Sequence, residues 1–142
     1  NQPKDKLHSQ MDQGSFSKSF KIQGREPIEM NPKDAEDRKI KNGDIVKLFN
    51  DRGACLEGDN INNKVRKGVV QISTGAWYDP EDTKKINTLC KHGNPNVLTR
   101  DKGTSKLGQG PIAHSCLIDI ELCKNKAPIV TAHVPPIIIR EN

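Results

Sequence analysis

Asp44-Ile-Val-Lys-Leu-Phe-Asn-Asp-Arg-Gly-Ala-Cys-Leu-Glu-Gly-Asp-Asn-Ile61 is the stretch on which the fold reading turns. Asp44 to Phe49 is strand-like, with β-branched, leucine and phenylalanine residues that suit a pleated surface. Asn50-Asp51-Arg52-Gly53 is a turn, because Asn, Asp and Gly tolerate the backbone angles of a tight reversal. Ala54 to Ile61 then returns beside the first strand. A hairpin in the middle of the chain makes sheet, not helix, the organising structure.

Working outward, Val65-Arg-Lys-Gly68 turns again and Val69-Val-Gln-Ile-Ser73 is a further strand. Gly75-Ala-Trp-Tyr-Asp-Pro80 leads into a polar loop that runs through Asn87. Ser115 to Leu122 is the last strong strand, with Ile118, Ile120 and Leu122 on one face and Asp119 and Glu121 on the other. Before the hairpin, Glu26 to Met30 reads as a brief extended segment. Asn31 is a good N-cap and Pro32 suits the first helical turn, while Asp34, Glu36 and Asp37 load the early turns with negative charge. This predicts a helix over 32–39, stopped by Gly43. Phe16, Phe20 and Ile22 leave 15–23 open between helix and strand, and Leu7 to Met11 reads as a short strand. Six or so short strands with one or two short helices imply a mainly β chain and a β-barrel rather than a layered α/β sheet.

The chain of 142 residues reads as one domain, with a core over about 7–122 and a tail, 123–142, that docks or is flexible. Aromatics make up only 4% of it, and 11 glycines and 9 prolines punctuate it. The net charge of +5 permits an anionic partner. The basic residues are scattered and lack stacking aromatics, which argues against nucleic acid. No signal-like apolar segment and no 18-residue apolar run is present, so no membrane insertion is expected. A start at Asn1 rather than Met suggests a soluble fragment. Four cysteines without a C-x-x-C pair read as free thiols.

His92 to Gly110 looks built for a ligand. Its four glycines, Pro95, Asn94, Asn96 and several hydroxyls enforce an irregular path that exposes N–H groups and amides. The alternative is a long solvated loop. His8-Ser9-Gln10 is either a polar ligand clamp or a solvated edge strand. Gly108-Gln-Gly-Pro-Ile-Ala113 matches G-x-G-x-x-G/A formally. It has no preceding strand, no following helix and no acidic residue 20 positions on, so the dinucleotide-fold reading fails. Cys90-Lys-His92 and His114-Ser-Cys116 could in principle meet on zinc, but structural zinc sites use longer loops between paired ligands. No nucleophile motif assembles a catalytic triad.

Met30-Asn-Pro-Lys-Asp-Ala-Glu-Asp-Arg38, Asn42-Gly-Asp-Ile-Val46, Phe49-Asn-Asp-Arg-Gly53, Gly68-Val-Val-Gln71, Gly75-Ala-Trp-Tyr-Asp-Pro80, Asn94-Pro-Asn-Val-Leu98 and Gly103-Thr-Ser-Lys-Leu107 occur in that order. In this the chain resembles the C-terminal molybdopterin-dinucleotide-binding domain of the dimethyl sulfoxide reductase family. The likeness is greatest to trimethylamine N-oxide and biotin sulfoxide reductases, over roughly residues 7–122, with the tail after Cys123 outside it. The resemblance implies a double-psi β-barrel closing over one face of a bis(molybdopterin guanine dinucleotide) molybdenum cofactor. It implies that His8, Ser9, Gln10 and Asn96 bond the pterin–dinucleotide, and that the loop at Ala113-His114 approaches it. The molybdenum-ligating side chain belongs to an earlier domain in the family. No catalytic or metal residue is therefore assigned here, and the isolated chain is expected to be inactive. The implied partners are the preceding catalytic domains of a periplasmic, or alternatively cytoplasmic, oxide reductase. A stand-alone, non-catalytic nucleotide- or protein-binding β-barrel module is the competing reading.

Overall fold

The computed structural model describes residues 2–112 and 114–139, and five strands account for most of its regular structure. The strands are β1 (Pro27–Met30), β2 (Ile45–Phe49), β3 (Ala54–Ile61), β4 (Val70–Ile72) and β5 (Asp119–Leu122). The helices are α1 (Ser15–Phe20) and α2 (Pro32–Asp37), and a 3-10 turn spans Pro95–Val97. The strands form one sheet in the order β4-β1-β3-β2-β5. All neighbours run antiparallel except β1 and β3, which pair in parallel. The chain is mainly sheet, as the hairpin suggests. The strand pairs make an open five-stranded sheet with β4 and β5 at its edges.

The hairpin stands as read. Lys47 pairs with Leu56 and Leu48 with Cys55. In the turn, the Asn50 side chain accepts from the amide of Arg52 at 2.9 Å, and its amide nitrogen donates to the carbonyls of Leu98 and Leu117. Strand register places Ile28, Met30, Val46, Leu48, Cys55, Ile120 and Leu122 on one face. That face is the core, and Ala35, Ile40, Cys90 and Leu98 pack into the same cluster. Glu57 and Asp59 of β3 share it, because i and i+2 point the same way. Burial raises both carboxyls: Asp59, with Asp44 adding to the effect, to about 6, and Glu57 well above the usual carboxylate range. The Cys55 thiol donates to Glu57 Oε1 at 3.4 Å.

Helix α2 ends earlier than expected, and Gly43 does not stop it. Asn31 caps its start, accepting from Lys33 N at 3.1 Å. At the other end Lys39 takes the left-handed conformation (φ 56°). Lys39 N donates to Glu36 O and Ile40 N to Ala35 O, a Schellman pattern closed by burying Ile40. A lysine therefore fills the position expected of glycine, and packing of Ile40 compensates for it.

Two further expectations change. Leu7 to Met11 is a tight turn, not a strand: Gln10 N donates to Leu7 O at 2.9 Å, and His8 and Met11 both have positive φ. The last strand begins at Asp119 rather than Ser115, since residues 114–117 are exposed and make no strand pairing. Leu48 has no solvent-exposed surface and lies mid-strand in the core. Leu48→Ala should therefore lower stability in a urea melt by about 2–5 kcal/mol, whereas Leu107→Ala, at a side chain 98% exposed, should stay within about 0.5 kcal/mol.

Candidate functional site

The turn at 7–10 docks on residues 75–77. Gly75 has φ +111°, and a Cβ there would fall on the His8 carbonyl, so the backbones meet with no room for a side chain. The Trp77 indole nitrogen donates to Ser9 O at 2.8 Å. Opposite them, the Asn94 side chain caps the 3-10 turn by accepting from Asn96 N at 2.9 Å, after which Pro95 fixes the backbone. The Asn96 side chain is exposed and bonded to nothing among the described residues. A cavity of about 320 Å³ lies between, lined by His8, Ser9, residues 74–78, Asn94 and Asn96. It meets a second cavity of about 450 Å³ at Tyr78 and Asn96, where Arg52, Asn87 and Thr88 add to the lining. Arg52 is aimed by a 2.9 Å bond from its Nε to Thr99 O. The two cavities share Tyr78 and Asn96 and are read as one groove; it presents amides, hydroxyls, one fixed guanidinium and the Asp51 carboxylate, donors and acceptors suited to a heterocyclic ligand.

His8, Ser9 and Asn96 thus share one cavity despite more than eighty intervening positions. Gln10 is exposed but does not line it. His114 faces a separate cavity of about 450 Å³ with Val69, Val70, Leu98, Cys116 and Leu117. Ala113 lies outside the described residues. The Cys90, His92, His114 and Cys116 side chains are spread over different surroundings: Cys90 in the core, His92 in a polar cluster, and the other two exposed. Sequence reasoning did not single out Trp77, Tyr78 and Arg52 for the groove. Gly75 beside two aromatics was the available signal, because a glycine there permits close backbone approach.

Beneath the groove lies a buried ionic cluster. Lys6 Nζ reaches Glu26 at 3.0 Å and Asp12 at 3.4 Å, and Lys21 Nζ reaches both Asp12 and Glu26 at 2.9 Å. Asp12 also accepts from Trp77 N at 3.2 Å and contacts His133 Nε2 at 2.9 Å. Burial alone would raise the Asp12 carboxyl, but Lys21, His133 and the Trp77 amide outweigh it and hold it at about 2. His92 goes the other way. Burial, reinforced by Lys21, takes it down to about 4 against the opposing pull of the Trp77 carbonyl and Asp12. Asp12, His92 and His133 offer ligand atoms within 4.8 Å of one another. Two ammonium groups, those of Lys6 and Lys21, already neutralise Asp12, which disfavours a cation beside it. His92 Nδ1 lies 2.9 Å from the Trp77 carbonyl, which only accepts, so that nitrogen carries the proton and Nε2 keeps the lone pair.

The family model described as "Molydopterin dinucleotide binding domain" matches residues 1–117. "Trimethylamine-N-oxide reductase" of Vibrio cholerae serotype O1 is 43% identical over 95% of this chain and 16% of its own length. The Salmonella typhi protein of the same name is 44% identical over 94% of this chain and 16% of its own. "Trimethylamine-N-oxide reductase 1" of Escherichia coli (strain K12) is 45% identical over 84% of this chain and 14% of its own. The chain thus spans about a sixth of the length of these curated relatives. A match over 95% of the chain reaches well past Cys123, so the likeness takes in the tail that the sequence reading set outside it.

The buried histidine sets a pH dependence. A His with a folded value below its unfolded 6.5 adds stability that is full above 6.5 and lost as pH falls through about 4. Between those limits its contribution should fall by about 3 kcal/mol. His92→Asn, which keeps a donor near the Nδ1 position, should remove that loss, seen as a smaller drop than wild type in denaturation free energy from pH 7 to 4.

Proposed function

Because this chain belongs to the molybdopterin dinucleotide binding domain family, we propose that its groove holds the pterin–dinucleotide of a molybdenum cofactor in a trimethylamine-N-oxide reductase. The observation that carries this is the convergence of the 7–10 turn and Asn96 on one cavity with unspent hydrogen-bonding groups. In this reading Asn96, with a preorganised backbone and a free amide, gives and accepts bonds at the heterocycle edge. Ser9 and His8 face it from the other wall. Arg52, in the adjoining cavity, offers charge to a phosphate. When bound, the cofactor supplies two-electron oxygen-atom-transfer chemistry, and this chain supplies binding, orientation and electrostatics.

The cofactor form is bis(molybdopterin guanine dinucleotide), and the sheet closes into a double-psi barrel. Closure is supported by the parallel β1–β3 pair among antiparallel neighbours, and by the cavity between the β4 edge and residues 114–118 ahead of β5. The partners are the remaining domains of the parent, since this chain is 16% of its relatives' length. Among the described residues, no helix is long and apolar enough to cross a membrane.

In the full-length protein, Asn96→Ala should weaken cofactor binding by about 1–3 kcal/mol, measured as molybdenum and pterin content after gel filtration, with the melting curve of the apoprotein unchanged. Asn63→Ala, at an exposed position outside both cavities, serves as the control. Unchanged occupancy in Asn96→Ala would reject the groove. Separately, the isolated chain given a reduced dye and trimethylamine N-oxide should show no turnover, and turnover would refute its role as a holding domain.

A further inference from the structure

Residues 131–133 of the tail grip both flanks of Tyr78, where the two cavities of the groove meet. On one flank, Asp79 accepts from Thr131 N at 2.6 Å, Thr131 Oγ1 at 2.6 Å and Ala132 N at 3.1 Å. Lys91 bridges Asp79 and Thr131 and secures the same anchor. On the other flank, His133 meets Trp77 edge to face, with ring centroids 5.2 Å apart. Its Nε2 lies 2.9 Å from the same Asp12 oxygen that accepts from Trp77 N. The rest of Trp77 is committed as well, its indole to Ser9 O and its carbonyl to His92. His133 is not among the residues that line the two cavities; its ring packs on Trp77 and His92, and its side chain is only 12% exposed. It is therefore placed to act on the groove wall and not on a ligand.

We propose that His133 is a positioning residue for the groove: held by Asp12 and set edge-on against Trp77, it fixes the Trp77–Tyr78 wall in the geometry that receives the ligand. This rests on the groove assignment above. The tail lies beyond the 117 residues that the family model matches, so the family match assigns it no part in binding. The chemistry explains why a histidine suits the place. One ring nitrogen donates to a buried carboxylate while the flat ring packs against the indole. A side chain lacking either feature leaves an Asp12 oxygen short of a donor or leaves Trp77 unsupported.

The test uses the full-length holoprotein and follows the rate at which pterin dinucleotide is lost during dilution, together with apoprotein melting. His133→Ala should speed release about tenfold, the size of one lost buried hydrogen bond. His133→Gln, with an amide nitrogen that reaches the Nε2 position, should bring release back to within about threefold of wild type. His133→Phe keeps the ring but lacks the donor, and should stay fast. A purely structural role would lower the melting temperature of the three variants and leave release from the folded fraction unchanged, which would overturn the inference. Equal release from His133→Gln and His133→Ala would also overturn it. Asn96→Ala separates the two claims. If Asn96→Ala speeds release and His133→Ala does not, the positioning role fails alone. If Asn96→Ala changes nothing, the groove assignment fails.

Discussion

Asp12 is the group on which four irregular segments of the molecule converge. Its carboxylate has no exposed surface and is shared by Lys6, Lys21, the Trp77 amide and His133. Those partners come from the N-terminal turn region, the segment after α1, the glycine-aromatic loop and the tail. A buried carboxylate left with one partner fewer costs several kcal/mol, so each segment is held by the needs of the others. The same network explains why the strands alone do not describe the protein. The five-stranded sheet supplies the apolar core, and the ionic cluster ties four irregular segments to one side of it.

That division places the groove. Irregular backbone is tolerated where hydrogen bonds are otherwise satisfied, and the 7–10 turn, Gly75 and the 94–97 turn all follow non-strand paths. His8 sits at φ 51° and Gly75 at +111°, and their backbones touch. Rigid supports beneath and free polar groups above are what a site needs in order to read a ligand without paying for its own ordering. Glu57 shows the opposite arrangement. Its carboxyl is enclosed by the core, Gly93 presses against it, and burial favours the neutral form.

The hairpin, the α2 start and the later strands were legible because each rests on local chemistry: turn residues at 50–53, Asn31 before Pro32, and alternation at 118–122. The helix end was not. Lys39 carries no glycine-like signal, and its left-handed turn is bought by burying Ile40, a tertiary contact that pattern reading does not see. Leu7 to Met11 misread as strand for a related reason, since its turn is fixed by the approach of Gly75 from far along the chain. His8, Ser9 and Asn96, which line one cavity, were named from family likeness and residue type. The packing of Trp77 against His133 was not legible, because it joins positions far apart in the sequence.

Hydrogen exchange on the full-length protein, with and without molybdopterin dinucleotide, tests the central claim most directly. Ligand should slow exchange at 8–9, 74–78 and 96–97, segments that line the groove, and leave the β4 edge at 70–72 unchanged. Protection confined to 68–72 and 114–118, around the separate apolar cavity, would contradict the account.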